Sequence, residues 1–137
     1  AWRTAGTPDH RPAQGPVPFT RTDNGTETAP TVYALPATGT EGCFTPSTWG
    51  DVGETVIETN RPDLPSILIY GDSFTNPVEC LAYYSFDEMR SIDLRHYREM
   101  PLADYIRLHQ PDIVVGIRDY EALLSTDYNG NLFQLQP

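Results

Sequence analysis

The chain has 137 residues, enough for one domain with a modest core, and 39% of them are hydrophobic. Its net charge of −10 argues against recognition of nucleic acid or of an anionic membrane through a basic face. All nine basic residues are arginines, which removes lysine chemistry, and no apolar run approaches the ~20 residues of a bilayer-crossing helix.

Residues 1–65 carry nine of the thirteen prolines and seven of the ten glycines, with no helical period among their apolar positions. This predicts an irregular, extended segment over 1–64, of which about the first 25 residues are disordered or lie on another subunit. Two short strands are expected within it, Thr31-Val-Tyr-Ala-Leu35 and Glu54-Thr-Val-Ile-Glu58, the second alternating with period two. Asn24-Gly-Thr26 fits the N-glycosylation pattern. The first residues lack the charged-then-apolar plan of a signal peptide. Cys43 and Cys80 permit one disulfide or two thiols. Neither their spacing nor that of His10, His96 and His109 has the form of a metal site.

The texture changes at residue 65, where a second segment, 65–137, begins. Ile67-Leu-Ile-Tyr70, ending at Gly71, reads as a strand buried on both faces. A helix is expected over Pro77 to Phe86, with Asn76 as its cap, Pro77 in the first helical position and Glu79 closing a capping box. Arg90-Ser-Ile-Asp-Leu94 is a second strand. Pro101 opens a second helix through Leu102, Tyr105 and Ile106, and Pro111 bars its continuation, with His109 at the end where a cation is favoured. Asp112-Ile-Val-Val-Gly-Ile117 is a third buried strand, followed by a short helix from about Tyr120 to Ser125 and a turn at Asn129-Gly130.

Strand, helix, strand, helix, strand with short loops implies a parallel α/β sheet with right-handed crossovers. Parallel strands end on one edge, and ligands of open α/β folds bind there. That edge gathers Gly71-Asp-Ser-Phe74, Asp93-Leu-Arg-His96 and Arg118-Asp119. A serine held between a buried strand and a helix has the placement that nucleophilic attack on an acyl group requires, with backbone N–H groups ready for an oxyanion. The rival reading of Gly71-Asp-Ser73 is a plain turn in which Asp72 and Ser73 satisfy nearby backbone donors. Tyr70 and Phe74 flank the serine and either line an acyl or sugar pocket or belong to the aromatic core. Arg118 and Asp119 either contact substrate or cap the last helix.

Ile67-Leu-Ile-Tyr-Gly-Asp-Ser-Phe74 resembles the first signature block of SGNH/GDSL hydrolases. Phe86, Ser91-Ile-Asp-Leu-Arg95 and Gln110-Pro-Asp-Ile-Val-Val115 resemble the C-terminal part of the SGNH-like domains of alginate O-acetyltransferases and of the DHHW family. The resemblance covers roughly residues 64–125. It implies a parallel-sheet, flavodoxin-like three-layer α/β fold, here a partial domain, with Ser73 as nucleophile and no cofactor. Gly71, Asp72, Phe74 and Arg118 then fall at the substrate site.

In those relatives an Asp-x-His pair upstream of the serine completes the triad. This sequence departs there, since its only upstream histidine is His10, in Pro8-Asp-His-Arg11. The expected base therefore comes from a missing N-terminal part or another subunit. Asp93-Leu-Arg-His96 has the Asp-x-x-His spacing of ordinary SGNH enzymes, which makes His96 a fallback base and Asp93 its acid. Against this, Asp93 pairs with Arg95 or a backbone amide and His96 is solvated.

The resemblance thus implies part of a cell-envelope or extracellular serine O-acyltransferase or esterase acting on a polysaccharide or acylated carbohydrate, inactive by itself without its base. A non-catalytic carbohydrate-binding or scaffolding domain is the alternative. A flavodoxin-like partner domain with an incidental Gly-Asp-Ser is a third reading.

Overall fold

Residues 17–30 and 52–121 are described in the computed structural model. His10, the expected strand 31–35, Cys43 and the Asn129-Gly130 turn lie outside them. The strands are β1 (Thr20–Asp23), β2 (Thr26–Thr28), β3 (Glu54–Glu58), β4 (Ile67–Gly71), β5 (Glu88–Asp93) and β6 (Ile113–Ile117). The helices are α1 (Asn76–Ala82) and α2 (Leu102–His109), and 3-10 turns at Ser73–Thr75 and Tyr83–Ser85 flank α1.

All six strands form one sheet in the order β2-β1-β3-β5-β4-β6. β4 runs parallel to β5 and β6, whereas the other three pairings are antiparallel. The expected parallel sheet is thus corrected to a mixed one, because the Pro- and Gly-rich first half contributes strands of its own. Asn24 and Gly25 both have left-handed backbone, at φ 46° and 74°, joining β1 to β2 in a two-residue hairpin. The hairpin contains the Asn24-Gly-Thr26 tripeptide, whose Asn-Gly step is a stronger signal for a turn than for a glycan.

β4 lies between β5 and β6, so the α1 crossover leads to one side of it and the α2 crossover returns past it to the other. The side chains of β4 accordingly divide between two cores. Leu68 packs with Ile92, Leu94, Tyr97, Leu102 and Tyr105 on the α2 face. Ile67 and Ile69 pack with Ile57 and Met89 on the other face, against Cys80, Ala82 and Tyr83 of the α1 segment. Two parallel strands flanking a central one, with crossovers on opposite faces, place a topological switch point at the carboxyl end of β4.

The α1 helix is shorter than expected and starts differently. Thr75 already has helical backbone, at φ −72° and ψ −31°, and the residue with extended backbone before the helical turns is Asp72. Asp72 therefore caps the 3-10 turn by accepting from the Phe74 N–H, and Asn76 does not cap the helix. The expected capping box is also absent, since Glu79 points inward and is buried. β6 is an edge strand among the described residues, with Ile113 and Val114 40% and 41% exposed. An apolar run fits either a central or an edge strand, and the expectation of a third buried strand fails for that reason. Burial lowers the pKa of His109 despite its place in the last turn of α2, and the nearby Arg90 adds to this.

Candidate functional site

The carboxyl end of β4 is closed by contacts that need the sequence Gly71-Asp72. A Cβ on Gly71 would lie 1.7 Å from the carbonyl oxygen of Ile117 and 3.0 Å from Cγ2 of Thr75. β6 and the serine turn both press on this residue, and only glycine fits. Beside it, Asp72 is buried and uses both carboxylate oxygens. Oδ1 accepts from the Phe74 N–H and Oδ2 from the Asp119 N–H, each at 3.0 Å. Asp72 thus fastens the turn to the segment that leaves β6, as an internal support with little surface of its own.

Ser73 follows and is exposed. Among the described residues its hydroxyl makes no hydrogen bond. Its neighbours in the turn are committed, with the Phe74 N–H bonded to Asp72 Oδ1 and the Thr75 N–H to the Asp72 carbonyl. Ser73, Phe74, Asn76 and Pro77 line an open cavity of about 390 Å³. Phe74 is 60% exposed and forms its apolar wall. Tyr70 takes no part, because its ring lies over Gly116, where a Cβ would come within 2.7 Å of the ring and hydroxyl.

The loop after β5 reaches the same edge. The Leu94 N–H donates to the Gly71 carbonyl at 2.9 Å. Asp93, however, is engaged by Arg95, whose backbone N–H donates to Oδ1 at 2.8 Å and whose Nη2 lies 2.6 Å from Oδ2. His96 is exposed and lines a separate cavity with Asn24, Gly53, Tyr97, Arg98 and Glu99. Among the described residues no hydrogen bond joins His96 or Asp93 to Ser73. Arg118 sits half-buried after β6, next to the Asp119 that Asp72 holds.

Glu79, which the sequence places in a capping box, is instead buried beneath the serine turn. Its Oε1 accepts from Thr75 Oγ1 and from Ser91 Oγ, both at 2.5 Å. The available signal is spacing, since Glu79 lies one helical turn after Thr75 and one turn before Tyr83, on the inward side.

No family profile and no curated protein matches the chain. Solved structures do. Bacillus cereus PatB1 matches with a TM-score of 0.63 and 26% identity over 86% of this chain and 38% of that one. The same protein with a sulfonyl adduct matches with a TM-score of 0.64 and 27% identity over 82% and 38%. A DHHW family protein from Eubacterium siraeum DSM 15702 matches in fold alone, with a TM-score of 0.65 and 18% identity over 87% and 41%. The chain spans about two fifths of the length of each of these structures. In structure, therefore, the chain is similar to part of PatB1 and, in fold alone, to part of a DHHW family protein.

Proposed function

We propose that the chain is the C-terminal part of an SGNH-like serine O-acyltransferase or esterase, with Ser73 as the nucleophile. The observation that carries the reading is the exposed Ser73 hydroxyl, without a hydrogen bond among the described residues, at the switch point of the sheet on a cavity with an apolar wall. The likeness to PatB1 supports it, as does the sulfonyl adduct of that protein, since sulfonylation is a reaction of activated nucleophiles. In the proposed reaction the Ser73 oxygen attacks the acyl carbonyl, and the Ser73 N–H donates to the developing oxyanion. The hydroxyl proton passes to a base outside the described residues. The intermediate collapses by breaking the bond between the acyl carbon and the donor oxygen, which leaves with the proton held by the base. A carbohydrate hydroxyl or water then attacks the acyl-serine and gives its proton to the base, and the serine oxygen departs and takes that proton back. The acylated partner is a cell-envelope or extracellular polysaccharide.

A serine without its base is a weak nucleophile, so the isolated chain reacts slowly. The non-catalytic carbohydrate-binding alternative draws on one observation, the pairing of Asp93 with Arg95, which occupies the nearest candidate acid. A sulfonyl fluoride probe separates the two readings. Adduct formation at Ser73, lost in Ser73→Ala and faster in the full gene product, supports the acyltransferase. No adduct at Ser73 in the full gene product overturns it in favour of the binding domain.

A further inference from the structure

The carboxyl beneath the serine turn does more than fill space. Glu79 is 3% exposed, and its Oε1 receives hydroxyls from two elements at once. Thr75 closes the 3-10 turn that begins at Ser73. Ser91 lies within β5, in register with Ile69 of β4 and Thr55 of β3. The carboxyl therefore bridges the turn that carries the serine and the strand beside it.

The surroundings leave its charge weakly compensated. Arg21 on β1 attracts it, but the Arg21 Nε is bonded to Asp23 at 3.0 Å. Asp93 at the end of β5 repels it and is itself paired with Arg95. β4 presents only Ile67, Ile69 and Gly71 on this face, and the α1 segment adds the Cys80 thiol and the Tyr83 phenol. Burial consequently outweighs the two hydroxyls and Arg21, and raises the Glu79 pKa above its ordinary 4.5.

We propose that Glu79 is a positioning residue that ties the Ser73 turn to β5 through Thr75 and Ser91 and transmits its own ionisation to the serine. A carboxylate accepts both hydroxyls with charge assistance, whereas a neutral acid accepts them only through a carbonyl oxygen. Gain or loss of one proton thus changes the strength of the bond that holds Thr75, two residues from Ser73. The device is decided independently of whether Ser73 reacts with any probe, because it is read from the turn itself.

The experiment follows the Glu79 carboxyl and the Ser73 and Thr75 amides by NMR through a pH titration of the chain. In the wild type the carboxyl and both amides share one midpoint, above the ordinary glutamate range. Glu79→Gln keeps an acceptor and removes the charge, so the turn keeps its hydrogen-exchange protection while the shared inflection disappears. Glu79→Leu loses the acceptor too, and protection at Thr75 falls about tenfold, the equivalent of one net hydrogen bond. Thr75→Val, which leaves the Ser91 bond in place, uncouples the Ser73 amide from the carboxyl and decides the matter if the leucine variant does not fold. An inflection that persists at Ser73 in Glu79→Gln, or a Ser73 amide that ignores the Glu79 midpoint in the wild type, overturns the proposal.

Discussion

The two faces of the sheet are built on different principles. Beneath α2, the core of Leu68, Ile92, Leu94, Tyr97, Leu102 and Tyr105 is mainly apolar, with the Tyr105 hydroxyl bonded to Glu54 and Arg90 at its edge, and Tyr97 and Tyr105 meet edge to face at 5.5 Å. Beneath α1 the face is divided. Ile57, Ile67, Ile69 and Met89 form its apolar part, whereas Arg21, Thr55, Ser91, Asp93, Thr75 and Glu79 are buried polar groups. Buried polar groups cost stability unless paired, and paired groups fix geometry more sharply than an apolar contact does. Stability is therefore concentrated under α2, and geometric definition under the serine.

Substitutions on either face sharpen or break that contrast. The largest effect belongs to Gly71→Ala, whose new Cβ meets the Ile117 carbonyl at 1.7 Å. It is expected to separate β6 from β4 and to cost about 5 kcal/mol in urea unfolding, at the exceptional end for one residue. Retention of hydrogen-exchange protection in β6 would contradict it. Next, Leu68→Ala on the apolar face is expected to cost about 3 kcal/mol through a cavity, by the same amount at acid and neutral pH. A pH-dependent cost would break the contrast between the faces.

Glu79 carries the opposite expectation. Its folded pKa is raised, so its contribution is present below the ordinary value of 4.5 and is lost as pH rises through the folded value. Asp72→Ala removes two acceptors from the turn and is expected to cost about 1–2 kcal/mol, with faster amide exchange at Phe74 and Asp119. Unchanged exchange at those two amides would refute the assigned role.

The smallest effect is at Asp112, an exposed residue that accepts from the Ser66 N–H and hydroxyl at 2.8 Å. Those bonds lower its pKa below the ordinary 3.8, so what it contributes is present above that value and is lost as pH falls through the folded one. Asp112→Asn is expected to flatten that acid limb of the melting temperature slightly. A wild-type acid limb in the variant would rule it out.

The part of the fold legible in the sequence is the part written in long-range apolar periodicity. Ile67-Leu-Ile-Tyr70 and the prolines at 77, 101 and 111 mark β4, the two helices and β6 to within a few residues. In the antiparallel half, β3 is legible at Glu54–Glu58 from its period-two alternation, whereas the β1-β2 hairpin is not, for a physical reason. β1 is Thr-Arg-Thr-Asp, and its buried residue is Arg21, whose burial depends on Asp23 and on strands distant in the chain. No local pattern marks an arginine as interior. At the site, strand-then-turn chemistry points to an exposed Ser73. It does not tell which cavity a loop histidine enters, and His96 lines a different one.

The crowding around Gly71 also decides where this scaffold is free to change. A side chain at that position collides with its neighbours, and Asp72 is held on both sides, so the end of β4 leaves no room for variation. Phe74, Asn76 and Pro77 line the cavity, with Phe74 and Pro77 exposed and Asn76 partly so. A lineage or a designer reshaping this cavity would work at those three positions and leave the strand end untouched.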